Sequence, residues 1–131
     1  MGAYGCETAA EMSSANKAKG TAFETAIVRF LQDGGLRAAR KIQHGYLDDG
    51  DVDIGPGDFT LQAKNYRNVT DGVREGVEGA EKQAAVAGTD YGVAVVKRAR
   101  KPVADAYVVM TLRMFRKLAF ELVELRKLRE R

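Results

Sequence analysis

A glycine-proline-glycine turn between two short β-type segments constrains the fold of this chain most strongly. Gly55-Pro56-Gly57 separates Val52–Ile54 from Phe59–Lys64, and a tight turn between two such segments favours an antiparallel pair. Gln62 and Lys64 share one face of the second segment because side chains alternate along a strand. An amide oxygen and an ammonium therefore lie side by side near the carboxylates of the first segment. These groups suit a hard divalent cation and a phosphate.

Apolar residues at helical spacing predict a helix before these strands. Ser13 or Ser14 can cap this helix, and Gly34-Gly35 ends it after about residue 33. Glu24 lies about 20° from Leu31 around the helix, at roughly 100° per residue. It can therefore reach sideways to the rim of a sheet beneath the helix. Residues 1–14 lack a clear period and predict a flexible arm, which leaves a single domain over residues 15–131.

The rest of the chain predicts a mixed sheet flanked by helices. A strand over 36–43 precedes the two already described, and a second helix runs from an Asp71 cap to about residue 87, where Gly88 stops it. Strands over 91–96 and 106–112 follow, with Pro102 between them. The fold class is thus α/β, with five strands and the element order α-β-β-β-α-β-β-α. The predicted inner face of the second helix consists of Val73, Val77, Ala80, Ala84 and Ala87.

A C-terminal amphipathic helix completes this order. Its apolar stripe is formed by Phe115, Leu118, Leu122 and Leu125. Packing against the sheet is the expected use of the stripe, and a contact with a second copy of the chain is the alternative.

Composition and charge favour an intracellular domain with an anionic partner. The 131 residues are 45% hydrophobic, which suits one core. Neither a membrane-spanning run nor a secretory leader pattern is present, and the lone Cys6 cannot form an internal disulfide. We therefore expect a reducing, cytoplasmic location. The net charge of +3 is modest, but basic blocks flank an acidic group over residues 48–58, which suits a phosphate polymer. The expected phosphate contacts are Lys17, Lys19 and Arg40, whereas residues 97–101 are either further contacts or a solvated face.

Other site chemistries fit the sequence poorly. A calcium loop that starts at Asp49 would need glycine and glutamate where Ile54 and Thr60 stand. His44 is the only histidine, so histidine zinc sites and Ser-His triads are nearly excluded, and His44 is expected to be a turn residue.

Four short motifs together resemble the PD-(D/E)xK nuclease superfamily. They are, in order, Lys19-Gly20, Glu24, Asp53-Ile54 and Gln62-Ala63-Lys64. The first three are similar to archaeal-type Holliday junction resolvases, whereas the string over residues 62–66 is similar to Mrr-type restriction endonucleases. The resemblance covers about residues 17–112 and implies a restriction-endonuclease-like sheet.

The resemblance also implies roles for individual residues. Asp53 is the expected principal metal carboxylate, with Asp51 as the open alternative on the same strand face. The amide oxygen of Gln62, the carbonyl of Ala63 and the carboxylate of Glu24 are the other expected metal ligands. Lys64 is expected to orient the attacking water or stabilise the developing charge. Gln83 is a weaker candidate for a polar helper.

Mg²⁺ is the implied ion, and Mn²⁺ is expected to substitute for it. The implied activity is hydrolysis of DNA phosphodiester bonds, with a four-way junction as substrate and a homodimer as the active form, since both strands must be cut symmetrically. The alternatives are an Mrr-like restriction or repair nuclease on duplex DNA, and a non-cleaving nucleic-acid-binding protein. Because Gln62 is neutral where an acid is usual, lower metal affinity is expected. All of this requires the side chains of Glu24, Asp53 and Lys64 to converge on one ion.

Overall fold

The computed structural model describes residues 9–41, 51–55 and 57–130, with side chains from residue 19 onward. Its elements are α1 (Ala9–Asp33), β1 (Ala38–Arg40), β2 (Val52–Ile54), β3 (Phe59–Lys64), α2 (Val69–Ala87), β4 (Tyr91–Val96), the 3₁₀ turn Val103–Asp105, β5 (Tyr107–Val109) and α3 (Leu112–Arg129).

The five strands form one mixed sheet in sequence order, from β1 to β5. The β1–β2, β2–β3 and β4–β5 pairs are antiparallel, and β3–β4 is parallel because α2 connects these two strands. The expected α/β class, with five strands flanked by helices in the predicted order, is confirmed. The bounds of β2, β3 and β4 are those expected from the sequence.

Alternation along β3 and β4 assigns the two faces of the sheet to different helices. Leu61 and Val93 join the core that Phe23 and Ile27 of α1 cover. The intervening residues of the same strands face α2, so that Ala94 lies against Gly76. Each strand of this central pair is therefore buried on both sides.

Glycines let α2 lie unusually close to the sheet. A Cβ atom at Gly92 of β4 would stand 2.3 Å from the carbonyl oxygen of Ala80, and one at Gly76 would stand 2.9 Å from the Cβ of Ala94. The buried face of α2 consists of Gly72, Gly76, Ala80, Gln83 and Ala84. The predicted face was therefore partly wrong, because Val73 and Val77 are only half-buried. Periodicity marks apolar side chains and overlooks small residues that permit a close approach.

Two predicted helix caps were wrong. Helix α1 begins at Ala9, ahead of the predicted cap at Ser13 or Ser14, so residues 9–14 are helical. Residues 1–8 lie outside the described part of the chain. Helix α2 is capped by Asn68, whose side chain accepts from the amide of Thr70, whereas Asp71 lies within its first turn. Gly88 ends α2 in the left-handed conformation, as predicted.

The first and last strands are shorter than predicted. The expected strand over 36–43 is described as Ala38–Arg40, and residues 42–50 lie outside the described part of the chain. The expected strand over 106–112 spans only Tyr107–Val109, because the backbone turns into α3 at Leu112.

The expected packing of α3 on the sheet was wrong. None of its residues is buried, and Phe115, Leu122 and Leu125 are each more than half exposed. Polar contacts join α3 to the start of β4 instead. Lys117 Nζ donates to the Asp90 carbonyl at 2.7 Å, and the Tyr91 hydroxyl donates to Glu121. Among the described helices, none is both long and apolar enough to cross a membrane.

The close approach of α2 predicts opposite effects for two glycine-to-alanine changes. Gly79→Ala should raise the free energy of unfolding by about 0.5–1 kcal/mol, because alanine favours a helix and its Cβ would meet Gln62 at an ordinary 3.6 Å. Gly92→Ala should lower it by about 2 kcal/mol or more, because the added carbon would overlap the backbone of α2. Urea denaturation measures both changes. A neutral Gly92→Ala variant would show that the two elements are further apart.

Candidate functional site

The carboxylate of Asp51 is fixed at the point where the β2–β3 ladder ends. The last ladder pair is Val52 with Leu61, and the Asp51 amide donates to the Leu61 carbonyl at 3.1 Å. Its side-chain Oδ2 then accepts from the amide of Ala63 at 2.8 Å. On the other side, the Lys41 amide donates to the Asp51 carbonyl at 2.9 Å. The Asp51 carboxylate thus takes the place of a backbone acceptor for the Ala63 amide. Backbone hydrogen bonds to Lys41 and Leu61 hold Asp51 on its two sides.

Glu24 of α1 lies within electrostatic reach of this carboxylate. Burial raises the pKa of Glu24 above its ordinary value of 4.5, and the nearby negative charge of Asp51 raises it further. Arg40 lowers the pKa because its Nε lies 3.7 Å from Glu24 Oε1. The carboxylates of Glu24 and Asp51 repel each other, and Arg40 is paired with Glu24. A divalent ion bound near both carboxylates would relieve this repulsion and would be electrostatically favourable.

Asp53 occupies a different part of the sheet. It pairs across the ladder with Thr60, which precedes Lys64 by four residues, roughly 13 Å of strand. Its Oδ1 lies 3.4 Å from the ammonium of Lys41. The structure therefore does not favour Asp53 over Asp51 as the partner of Glu24. The reason lies just before β2, where the Asp51 amide donates to Leu61, the residue that pairs with Val52. This one-residue slip in the pairing leaves the Asp51 carboxylate to accept from the Ala63 amide.

Gln62 and Lys64 share one face of β3, as alternation predicts, and that face packs against α2. Gln62 is buried, and its Oε1 accepts no hydrogen bond within the described residues. The stem of Lys64 lies under Gly72 and Gly76, and its Nζ is 5.3 Å from the centre of the Tyr66 ring.

The expected convergence of Glu24, Asp53 and Lys64 is consequently not found. Glu24 reaches the end of β3 from the α1 face of the sheet, and Lys64 reaches it from the α2 face. Asp51 connects the two. Its negative charge raises the pKa of Glu24, and its carboxylate accepts from the amide of Ala63, the residue before Lys64. The described arrangement is therefore Glu24, Asp51, Ala63 and Lys64 around one strand end.

The residues expected to contact phosphate, Lys17, Lys19 and Arg40, are not shown together at one place in the structure. Lys19 is exposed and lines a groove with Lys64 at the end of β3. Arg40 is the ionic partner of Glu24, and the side chain of Lys17 lies outside those that the structure describes. Gln83, the possible polar helper, is buried on the sheet-facing side of α2.

The donor set suits a lightly coordinated magnesium ion. Glu24 and Asp51 offer carboxylate oxygens, and Mg²⁺ commonly binds proteins through one or two carboxylates while it keeps several waters. The buried, unpartnered oxygen of Gln62 is a further donor on the neighbouring strand. Across the described ranges, no group of three or more histidine, cysteine, aspartate or glutamate side chains forms a richer metal site. Asp48 and Asp49 lie outside those ranges.

Comparison with known proteins adds no relative. The chain matches no protein-family model, and neither the curated proteins nor the solved structures contain a match to it. Its chemistry is therefore inferred from its own residues.

The repulsion between two carboxylates predicts a specific change in titration. Asp51→Asn should lower the pKa of Glu24, because it removes a negative charge that raises it. Asp53→Asn is the matched control, since it removes an equal charge from a carboxylate that does not contribute to the shift. Side-chain carboxyl NMR titration measures the pKa in each variant. Equal shifts in both, or no shift in Asp51→Asn, would contradict the described pairing.

The raised pKa also sets the direction of a stability change. A carboxyl group whose folded-state pKa lies above its unfolded-state value binds protons more tightly when folded. The contribution of Glu24 to stability is therefore most favourable below 4.5 and declines as the pH rises through the folded-state pKa.

Proposed function

We propose that this protein is a metal-dependent DNA endonuclease with a restriction-endonuclease-like fold. The supporting observation is that Asp51, tied to the amide of Ala63 next to Lys64, is near enough to Glu24 for its negative charge to raise the pKa of Glu24. Two carboxylates and an ammonium at one strand end are the groups that metal-assisted phosphodiester hydrolysis needs. A four-way DNA junction is the first substrate in this proposal, and Mg²⁺ or Mn²⁺ is the ion.

Each residue has a physical task in this proposal. Glu24 and Asp51 hold the ion, and the Ala63 amide orients Asp51 by donating to Oδ2. A divalent ion bound there supplies charge neutralisation and a more acidic water. Lys64 places a positive charge where negative charge develops on the scissile phosphate. Burial of its stem under Gly72 and Gly76 restricts where that charge can lie.

Lys64 is available for this role. It forms no ion pair with a carboxylate of the described residues, and its ammonium lies near the face of the Tyr66 ring at the strand end. An ammonium that lacks a protein counter-ion can bind a phosphate without first breaking a salt bridge.

Symmetric cutting of a junction needs two active sites related by a two-fold axis. A homodimer is therefore part of the proposal. The half-exposed stripe on α3, from Phe115 to Leu125, is an apolar surface that such a contact could use.

A non-cleaving nucleic-acid-binding protein is the second candidate. It is favoured by Gln62, which is neutral and lies buried beneath Gly79 where an acid would add charge to the site. A glutamine at this position lowers the negative charge available to a cation. The two candidates differ in one measurable respect, the appearance of cut DNA.

The nuclease proposal predicts that Asp51 matters more than Asp53. The wild-type protein should cut a four-way junction in the presence of Mg²⁺ or Mn²⁺ and leave it intact in EDTA. Asp51→Asn and Lys64→Ala should each reduce the cleavage rate by about 10²–10³-fold, because each removes charge stabilisation at the reacting phosphate. Asp53→Asn should keep most of the rate, since its carboxylate is paired with Lys41.

Matched linear duplex serves as the substrate control. Equal cleavage of duplex and junction would remove the branched-DNA part of the proposal and favour a duplex nuclease. Binding of DNA without any metal-dependent product, in a protein whose fold is verified by circular dichroism, would favour the second candidate. Full activity in Asp51→Asn would contradict the assignment of the site.

A further inference from the structure

Two cavities meet across the carboxyl end of β3. One, of about 620 Å³, is lined by Lys64, Arg67 and the start of α2. The other, of about 240 Å³, is lined by Lys97 and by residues of α1 and the 3₁₀ turn. Lys19 and Asn65 line both cavities. These shared residues make the two cavities neighbours, and together we call them the strand-end groove.

The backbone positions this groove firmly. The Lys97 amide donates to the Lys64 carbonyl at 2.9 Å, so the ends of the parallel strands β3 and β4 lie side by side. Lys97 shares its cavity with Phe23 of α1, whereas Lys64 and Arg67 lie on the side of α2. The groove therefore passes from one face of the sheet to the other, over the strand end that carries the proposed catalytic residues.

The cations of the groove have no counter-ion among the residues that the structure describes. Lys19, Lys64, Arg67 and Lys97 form no salt bridge with any carboxylate of the described residues. Among the described residues that line the groove, Asp71 is the one carboxylate, and its Oδ1 lies 3.0 Å from Nη2 of Arg74. Four like charges around one concave surface repel each other, and an anion with several charges would relieve that repulsion.

The neighbouring basic residues do not all point into this groove. The guanidinium of Arg98 lies over the Tyr107 ring, 4.6 Å from its centre, and Arg40 is paired with Glu24. The basic block over residues 97–101 is therefore divided by the fold, and Lys97 is the member of it that lines the groove.

We propose that the strand-end groove binds the sugar-phosphate backbone of a nucleic acid strand, with Arg67 and Lys97 contacting phosphates on opposite sides of the strand end. A sugar-phosphate backbone carries a negative charge at every nucleotide, which suits a groove with cations on both faces of the sheet, and the side-chain amide of Asn65, which lines both cavities, offers a further donor. This assignment of the substrate path rests on the proposed function, because the groove is lined by Lys64 and by Ala63, whose amide holds the carboxylate of Asp51. It adds two phosphate-binding residues, Arg67 and Lys97, to that site.

The test measures binding without catalysis. Fluorescence anisotropy of a labelled DNA duplex is recorded in EDTA over a series of salt concentrations, for the wild type, Lys97→Ala and Arg67→Ala. Lys82→Ala is the matched control, since Lys82 is an exposed cation in the second half of α2, away from the groove. Thermal melting verifies that each variant is folded.

Lys97→Ala and Arg67→Ala should each weaken binding by roughly three- to tenfold at low salt, as expected for loss of one phosphate contact. Each should also reduce the slope of log K against log salt by about 0.9, while Lys82→Ala should change neither quantity. Wild-type-like binding in both groove variants, or equal losses in all three, would overturn the proposal. The binding measurement contains no metal, so its result is independent of cleavage. A separate failure to cut DNA with Mg²⁺ or Mn²⁺ would count against the nuclease function and would leave the binding result intact.

Discussion

The hydrogen bond from the Ala63 amide to the Asp51 carboxylate is the contact on which the candidate site depends. A charged acceptor makes such a bond roughly twice as strong as one between neutral groups. It extends the pairing of β2 and β3 past the last ladder pair, and it sets which acid meets Glu24. Without it, the carboxylate of Asp51 would lose its tie to β3, although the backbone bond to Leu61 would remain. The negative charge that raises the Glu24 pKa would then have no fixed position.

The close packing of α2 on the sheet explains the positions of Lys64 and Gln62 in the candidate site. Gly72 and Gly76 leave room for the stem of Lys64, so its ammonium is directed to the strand end rather than outward from the sheet. The same fit buries Gln62 beneath Gly79. A carboxylate at that position would carry an uncompensated buried charge, which a neutral amide avoids. Gly72, Gly76 and Gly79 of α2 therefore contact the two side chains of β3, Lys64 and Gln62, to which the candidate site assigns chemical roles.

Much of the fold, but less of the site, could be predicted from the sequence. Strong periodicity and turn residues located β2, β3 and β4, and Gly88 marked the end of α2. The choice between Asp51 and Asp53 depends on a one-residue slip in the β2–β3 pairing at Asp51. The alternation of side chains along a strand cannot reveal this slip, because it predicts that both acids lie on the same face. The apolar stripe of α3 was visible, but its exposure depends on where the chain turns after β5. Lys97 and Arg98 look equivalent in sequence, and only the fold separates them.

Mn²⁺ binding followed by NMR tests the central claim most directly, because paramagnetic broadening reports distance from the ion without any need for turnover. We expect substoichiometric Mn²⁺ to broaden the amide signals of Asp51, Ala63 and Glu24 first and those of Asp53 and Thr60 later. Excess Mg²⁺ should restore the signals if both ions share the site. Broadening centred on Asp53 and Thr60, or uniform weak broadening across the protein, would contradict a metal site built on Asp51 and Glu24.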